Sequence, residues 1–360
     1  MRVATPRLYL GTMTFGWSQT SAPVDEKIAK EMVKKFITFN EKIPGGTQQH
    51  YIDTARIYAG GATEPIVGAT ITDSISYCAK ESIKVGTKAH PSQKNGLSAN
   101  GISQQFETCI EALGKDVSSV EEFYLHQPDT ENSLLESFMQ LDKFVKEEKV
   151  ANVGMSNYHV SEMKRAFTLC KEHSLTKPTI YQGLYNPLNR LVEKDLIPLL
   201  KKNGCSFVAY NPLAAGLLTG KHTKQSTNVL KGRFKDNQNY LPRFYTDDNF
   251  EAMEIIQKAL DKEGITMIEA TFRWLLRHSA LGDQDGVLLG ASSLTQLDEN
   301  LDACLAGMEK GPLSTEVLSA FDEAWHITEN SAFPYWRSYS SDMPDGKTLD
   351  QGASYAAAKK

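Results

Sequence analysis

The chain has 360 residues, a formal net charge of −5 and a pI near 6.0. Because it has no overall basic field, we do not expect nucleic acid or an anionic membrane as a partner. The length exceeds that of most single domains, but one α/β barrel reaches this size with insertions. We therefore expect a single domain over residues 1–360, with its catalytic core at about 8–330 and a disordered tail at 345–360.

Cysteine usage and the lack of long apolar runs favour a cytoplasmic protein. The five cysteines include no Cys-x-x-Cys pair, and the sequence has no Asn-x-Ser/Thr sequon. A reducing compartment fits this pattern, and we predict neither a disulfide nor a metal site. The first candidate strand begins near residue 8, which leaves no room for a signal peptide, and no apolar run approaches ~18 residues.

Strand-like and helical segments alternate along the chain. Strands are predicted at about 8–14, 50–53, 83–88, 121–126, 150–156, 179–184, 205–210 and 286–291. Helices are predicted at about 25–41, 64–79, 98–113, 131–149, 159–173, 193–203 and 294–308. Eight βα units indicate the α/β class and a closed (β/α)8 TIM barrel, to which we expect an extra C-terminal helix to be added.

A long connection follows the seventh predicted strand. It runs from Asn211 to Asp247, about 37 residues, far beyond the ~12–15 at which a loop without helices or strands becomes unusual. Six basic residues stand against two acidic ones in this stretch, although the whole chain is acidic. Such loops are usually functional or disordered, and a small polyanionic ligand would explain the local reversal of charge.

Four polar residues stand at or just after the ends of three consecutive predicted strands. Asp53 closes the second strand and Tyr58 follows it, while Lys88 and His126 close the third and fourth strands. In a βα barrel, residues at consecutive strand ends meet in one pocket. The sequence therefore predicts that these four side chains form one site.

The four residue types can support the reduction of a carbonyl group by a hydride source. A tyrosine hydroxyl, with a reference pKa near ~10, needs a neighbouring cation to act as an acid at neutral pH, and Lys88 can supply that charge. Asp53, paired with Lys88, should cancel part of the field, and a neutral His126 could donate a hydrogen bond to the substrate oxygen. A lone tyrosine after a strand is usually structural, and a buried Asp–Lys pair is often only a satisfied ion pair. The joint occurrence of all four favours the catalytic interpretation.

Phosphate binding is expected at the last predicted strand. No strand is followed by Gly-x-Gly-x-x-Gly, which excludes a Rossmann site, and the run Gly216–His222 lacks both the glycine spacing and the hydroxyl residue of a phosphate loop. Gly290-Ala291-Ser292-Ser293 stands directly before a helix, with small residues and N-cap hydroxyls suited to a phosphate.

Several motifs resemble those of the aldo-keto reductases. Asp53-Thr54-Ala55-x-x-Tyr58, Gly86-Thr87-Lys88 and Tyr124-Leu125-His126 look like that family's Asp–Tyr–Lys–His tetrad, and the likeness continues over nearly the whole chain. The segments Asn211–Lys221 and Ser292–Leu297 are most similar to the aflatoxin-aldehyde and succinic-semialdehyde reductases. The resemblance implies an NADPH-dependent barrel that reduces aldehydes or ketones, with Tyr58 as proton donor, on small acidic or dicarbonyl aldehydes, and a possible homodimer.

The resemblance also assigns the cofactor residues. It implies that Ser156, Asn157 and Gln182 hold the carboxamide and that Tyr210 stacks on the nicotinamide, although Tyr210 alone would more often be a core residue. The full expected set for NADPH is Asp53, Ser156, Asn157, Gln182, Tyr210, Asn211, Pro212, Leu213, Gly216, Leu218, Gly220, Lys221, Arg233, Gly290, Ser292, Ser293 and Gln296. Many relatives place Lys-Ser and then Arg around the 2′-phosphate, where this chain has Ser292, Ser293 and Gln296, so the strict preference for NADPH over NADH stays open.

The substrate residues are expected at three places in the chain. Tyr240 and Arg243, late in the long loop, resemble the subfamily's pair that meets an acidic or polar substrate. Trp17 follows the first predicted strand, and His126 faces the reacting carbonyl. The run Phe333-Pro334-Tyr335-Trp336-Arg337 either folds an aromatic wall over the pocket, with Trp336 as its candidate contact, or simply docks on the barrel.

Two other functions are compatible with the same motifs. Potassium-channel β subunits resemble this barrel and keep both tetrad and cofactor, so a regulatory NADP-binding protein is one alternative. A biosynthetic reductase for one specialised metabolite is the other. Multiple turnovers with 4-nitrobenzaldehyde would separate an enzyme from the regulatory protein.

Overall fold

The computed structural model describes residues 5–18, 23–43, 49–223, 234, 237 and 240–353. Eight parallel strands form a closed barrel in which β1 pairs with both β2 and β8. The strands are β1 Arg7–Gly11, β2 His50–Asp53, β3 Ile83–Ala89, β4 Val120–Leu125, β5 Val150–Ser156, β6 Ile180–Leu184, β7 Ser206–Tyr210 and β8 Gly286–Gly290. The predicted (β/α)8 barrel is confirmed.

The helices pack around the barrel. They are α1 Glu26–Lys42, α2 Thr63–Ser74, α3 Ala99–Leu113, α4 Leu134–Lys146, α5 Val160–Glu172, α6 Leu196–Lys202, α7 Leu241–Phe244, α8 Asp247–Glu263, α9 Met267–Arg277, α10 Leu294–Glu309 and α11 Thr315–Thr328. The long loop after β7 contains a 3-10 segment, Ala214–Thr219, and the short helix α7. Helices α8 and α9 then separate this loop from β8, and α11 is the expected extra C-terminal helix.

The side chains that fill the barrel interior are aromatic and aliphatic, and the pocket lies above them. Tyr9, Tyr51, Tyr124, Ile180 and Val208 fill the barrel interior as one buried cluster. Because successive side chains of a strand point to opposite faces, the residue two positions further on also points inward. The residues two positions after that cluster line the pocket at the C-terminal ends of the strands, namely Gly11, Asp53, His126, Gln182 and Tyr210.

The chain after α11 folds back onto the barrel. The amide of Ala353 donates a hydrogen bond to the carbonyl of Trp336 at 2.8 Å, and the Trp336 indole donates to the carbonyl of Asp350 at 3.3 Å. Residues 345–353 of the expected disordered tail therefore pack against residues 336–339, and residues 354–360 lie outside the described part of the chain. Among the helices in the described ranges, none is both long and apolar enough to cross a membrane. All five cysteines are free thiols.

Candidate active site

A buried ion pair lies at the centre of the barrel mouth. The Nζ of Lys88 is 2.6 Å from Oδ1 of Asp53, and both side chains are almost entirely shielded from solvent. The ammonium group also donates to the carbonyl of Thr54 at 2.8 Å, while the amide of Gln182 donates to the same Asp53 oxygen at 2.8 Å. These contacts fix the ammonium group at the end of β3 and leave little freedom for the lysine side chain.

Tyr58 and His126 face each other beside this pair. Tyr58 begins a 3-10 segment, Tyr58–Gly61, directly after β2, and its ring centre is 5.5 Å from Nζ of Lys88. The ring centres of Tyr58 and His126 are 6.0 Å apart, with an interplanar angle of 81°. The structure thus brings Asp53, Tyr58, Lys88 and His126 together, in the arrangement that the strand ends predicted.

Burial keeps His126 neutral. Desolvation is the main reason that its pKa lies well below the usual value, and the neighbouring His90, Lys88 and Arg337 lower this pKa further. The rings of His90 and His126 meet edge to face, with centres 5.0 Å apart. A neutral imidazole carries one N–H donor and can offer it to a substrate oxygen without adding a full charge to the pocket.

His90 is a second neutral histidine at the pocket wall. Burial and the nearby Arg337 lower its pKa to about 4. Its Nδ1 accepts a hydrogen bond from the amide of Ser92 at 3.1 Å, which places the ring proton on Nε2. Sequence reasoning did not select His90, although it stands two residues after Lys88 and therefore shares the inward parity of β3.

A buried carboxyl group lies beneath the ion pair. Glu122 is only 3% exposed, and its two oxygens accept hydrogen bonds from the hydroxyls of Tyr9 at 2.8 Å and Tyr124 at 2.6 Å. Burial raises the pKa of Glu122 to about 7, and the nearby Asp53 charge contributes in the same direction. Nζ of Lys88 is 5.3 Å from the centre of the Tyr124 ring. Tyr124 therefore contacts the Glu122 carboxyl group through its hydroxyl and the Lys88 ammonium group through its ring.

A cavity of about 630 Å³ opens above the four residues at the C-terminal end of the barrel. Ligand sites of barrel enzymes lie on this face, and the volume is in the range of small-molecule and cofactor sites. Most of the residues expected to bind the cofactor line the cavity: Asp53, Ser156, Asn157, Gln182, Tyr210, Asn211, Pro212, Leu213, Gly216, Lys221, Gly290, Ser292 and Gln296.

The polar side chains along one wall are held by each other. The amide of Asn157 donates to the carbonyl of His126 at 2.8 Å and to the hydroxyl of Ser156 at 3.0 Å. The hydroxyl of Tyr210 in turn donates to Oδ1 of Asn157 at 2.8 Å, and its ring is half-buried at the cavity wall. A flat ring beside ordered amide and hydroxyl groups fits an aromatic ring that bears a carboxamide.

The start of α10 offers an anion site. Ser293 is the N-cap, and its hydroxyl accepts a hydrogen bond from the backbone amide of Gln296 at 3.2 Å. The amide and hydroxyl of Ser292 both donate to Oε1 of Gln296, at 2.8 and 2.9 Å. Helix N-termini with such hydroxyl groups attract phosphates. The side chain of Lys221, 3.5 Å from Glu299, brings a cation to the same side of the cavity.

Three of the residues expected to bind the cofactor do not line the cavity. Leu218 is buried in the core, Gly220 ends the 3-10 segment with φ of 72°, and Ser293 caps α10 rather than lining the cavity. Arg233 lies outside the described residues.

The substrate residues predicted from the sequence are not all at the cavity. Trp17, His126 and Tyr240 line it. The guanidinium of Arg243 instead stacks on the ring of Phe333 at 4.1 Å. Trp336 does not contact the cavity, because its ring packs on His159 with centres 4.8 Å apart.

Arg337, the residue after Trp336, does line the cavity. Its backbone amide donates to the carbonyl of Asn157 at 3.0 Å, which ties the C-terminal segment to the end of β5. Sequence reasoning selected the segment but chose its tryptophan over its arginine. The signal was the charge itself, because a guanidinium group can bind a carboxylate, which an indole ring cannot do.

The chain belongs to the aldo/keto reductase family, whose model matches residues 7–326. It is 35% identical to human aldo-keto reductase family 7 member A3 over 346 residues, which cover 93% of this chain and 98% of the relative. It is 34% identical to rat aflatoxin B1 aldehyde reductase member 2 over 346 residues, covering 92% and 88% of the two chains. Human aflatoxin B1 aldehyde reductase member 4 is 35% identical over 336 residues, covering 90% and 95%.

These matches, with the barrel and the site at its mouth, define an NAD(P)H-dependent oxidoreductase that reduces aldehydes or ketones. The family resemblance expected from the sequence is confirmed, and two of the relatives carry aflatoxin aldehyde reductase in their names.

Proposed function

We propose that the protein reduces aldehydes with NADPH and that Tyr58 supplies the proton to the carbonyl oxygen. The observation that carries this proposal is the position of the Lys88 ammonium group, fixed by Asp53 and 5.5 Å from the Tyr58 ring centre. Tyr58 and the neutral His126 both line the cavity, and the buried Lys88 ammonium group lies next to the Tyr58 ring.

The reduced nicotinamide, when bound, supplies the hydride. Tyr58 then has to give a proton to the oxygen as negative charge develops there. A unit charge at about 4 Å and an effective dielectric of about 20 is worth roughly 4 kcal/mol, so Lys88 can make the phenol appreciably more acidic. The carboxylate of Asp53 offsets part of that field.

His126 orients the substrate. As a neutral imidazole it can donate one hydrogen bond to the carbonyl oxygen, and its ring centre lies 6.0 Å from that of the phenol. Two donors on one oxygen stabilise the developing alkoxide and restrict the carbonyl to one orientation. The edge-to-face contact with His90 limits the rotation of the His126 ring.

The cofactor would lie along the wall of ordered polar residues. Ser156, Asn157 and Gln182 would hold the carboxamide; the Gln182 amide nitrogen is committed to Asp53, so its oxygen would be the acceptor. Tyr210 would stack on the nicotinamide. The N-terminus of α10, with Ser292 and Gln296, and the long loop with Lys221 and Arg233 would take the phosphates, and this cationic surrounding favours NADPH over NADH.

A small acidic or dicarbonyl aldehyde suits the cavity. Arg337 lines the cavity, and its positive charge adds to desolvation in lowering the pKa of His90 and of His126. A carboxylate on the substrate could pair with such a cation, and charge-assisted pairs are the stronger hydrogen bonds. A cytoplasmic location and a homodimer are further proposals, the second of which light scattering on the purified protein would test.

The direct test is oxidation of NADPH and of NADH, followed at 340 nm, over a panel of charged and neutral aldehydes. Repeated turnover of 4-nitrobenzaldehyde and of succinic semialdehyde is the expected result. Binding of NADPH without turnover of any aldehyde would replace the reductase with a regulatory NADP-binding protein.

A further inference from the structure

The backbone that carries Tyr58 is held in an unusual conformation. Directly after it, Ala59, Gly60 and Gly61 have φ values of 48°, 65° and 97°. Three consecutive left-handed residues, one of them an alanine, form only where the surrounding structure holds them in place. The orientation of the Tyr58 side chain therefore depends on whatever fixes this loop.

Arg56 closes the loop from within. One nitrogen of its guanidinium, Nη1, donates to the carbonyl of Gly61 at 3.1 Å and to Oε2 of Glu64 at 3.1 Å. The chain passes so near this group that a Cβ on Gly61 would come within 2.8 Å of it. The arginine thus bridges the two ends of the segment on which Tyr58 lies.

Glu64 connects the loop to the strand that bears Lys88. Its side chain has no exposure to solvent, and its second oxygen accepts a hydrogen bond from the hydroxyl of Thr87 at 2.7 Å. Thr87 is the residue before Lys88 in β3 and is fully buried. One carboxylate therefore holds the tyrosine loop at one oxygen and the lysine strand at the other.

A simple structural role does not account well for this arrangement. Buried ion pairs often contribute little to stability, because the cost of desolvation offsets their attraction, and apolar residues of similar size would fill the space at least as well. The pair does provide a fixed geometry. Arg56 bonds to Gly61, three residues after Tyr58, and Glu64 bonds to Thr87, the residue before Lys88.

We propose that Arg56 and Glu64 are positioning residues that hold the Tyr58 hydroxyl at the distance from Lys88 that proton donation requires. This inference rests on the proposed role of Tyr58. Neither Arg56 nor Glu64 lines the cavity. Their effect on the rate would come from alignment alone, and misplacement of a reacting group by about 1 Å costs on the order of 100-fold.

The test compares Arg56→Met with Arg56→Lys. Methionine keeps the apolar stem and removes both hydrogen bonds, and we expect kcat to fall by about 10- to 100-fold while the dissociation constant for NADPH changes less than about two-fold. Because a single nitrogen makes both bonds, a lysine ammonium can replace it, so Arg56→Lys should recover most of the rate. At the other end of the link, Thr87→Val should lower kcat by about 3- to 10-fold.

Arg190→Met is the matched control. Arg190 is also a partly buried arginine, paired with Glu193 and Asp322, and it does not line the cavity. We expect this variant to lower the thermal midpoint without changing kcat, which separates a loss of stability from a loss of alignment.

The decisive measurement repeats these changes in a Tyr58→Phe background, using single-turnover rates. If Arg56 and Thr87 act through the tyrosine hydroxyl, their substitutions should cause no further loss there. Equal losses in both backgrounds, or wild-type kcat in Arg56→Met or Thr87→Val, would overturn the inference. A Tyr58→Phe enzyme that keeps more than about a tenth of wild-type kcat would instead overturn the proposed function, so the two failures are distinguishable.

Discussion

The Lys88 ammonium group lies beside the Tyr58 ring, 5.5 Å from its centre, and touches Asp53 rather than solvent. Because the ammonium group is buried, water screens its charge less than it would at the protein surface. The same cation is fixed by the carbonyl of Thr54, the residue after Asp53, so the acid and its activating charge are both held near the end of β2. The reactivity of the tyrosine should depend on both members of this pair.

Tyr58→Phe should abolish reduction and leave cofactor affinity nearly intact. The hydroxyl acts only when charge develops on the substrate oxygen, so its loss affects the transition state and not the bound cofactor. We expect kcat to fall by about 10²- to 10⁴-fold, the usual worth of a positioned acid, and Lys88→Met to have a similar effect. Fluorescence titration with NADPH and steady-state assays measure the two quantities. A variant that keeps more than about a tenth of wild-type kcat would remove the tyrosine from its role.

NADPH should bind more tightly than NADH, by about 10- to 100-fold, because one charge-assisted contact of roughly 1.5–3 kcal/mol separates the two cofactors. Arg233→Ala and Gln296→Ala should reduce that ratio. Dissociation constants for both cofactors, measured on each variant, provide the check. Equal affinities in the wild type would show that the start of α10 does not recognise the 2′-phosphate.

The response to substrate charge should locate the carboxylate contact. If Arg337 pairs with a substrate carboxylate, Arg337→Ala should lower kcat/KM for succinic semialdehyde by about 10- to 100-fold and leave 4-nitrobenzaldehyde nearly unaffected. Arg243→Ala is the comparison, because the sequence favoured Arg243 whereas its guanidinium stacks on Phe333. If kcat/KM falls equally for both substrates in one of these variants, that arginine orders the surrounding chain and does not bind the carboxylate.

Glu122→Gln should flatten the dependence of stability on pH. The pKa of this buried carboxyl group is raised from 4.5 to about 7, so the folded state holds its proton more tightly than the unfolded state does. The resulting stabilisation is fully present below pH 4.5 and is lost as pH rises to about 7, a change of roughly 3 kcal/mol at about 1.4 kcal/mol per pH unit. Glutamine has no proton to lose. The free energy of unfolding, measured by urea denaturation, should therefore differ less between pH 5 and pH 8 in the variant than in the wild type. An equal difference in both proteins would mean that Glu122 titrates as an ordinary carboxylate.

The barrel and the four central residues could be predicted because both follow local rules. The strands are short, and Asp53, Lys88 and His126 stand at or next to strand ends, where the parallel topology forces neighbours together. Tyr58 follows the end of β2 by five residues. Asp53 and Lys88 needed no knowledge of distant contacts, since β2 and β3 are adjacent in sequence and in space.

The substrate wall could not be predicted in the same way. Arg337 reaches the cavity because its amide bonds to Asn157, some 180 residues earlier, and no local pattern shows which of two neighbouring side chains will turn inward. Glu64 was missed for a related reason. A glutamate in the first turn of a helix normally faces solvent, where it favours the helix dipole, and only the fold shows that this one is fully buried.

The backbone bond between Arg337 and Asn157 has a consequence for how the protein is made. During synthesis the tetrad is complete once β4 has left the ribosome, but β1 cannot find its second partner until β8 emerges, more than 270 residues later. Strand pairing over such sequence separations is slow, because the entropic cost of closing the loop must be met before any stabilising contact forms. Arg337 follows later still, so a nascent chain can hold a finished barrel whose pocket lacks one wall. Arg337 is therefore the last of the residues lining this cavity to be translated.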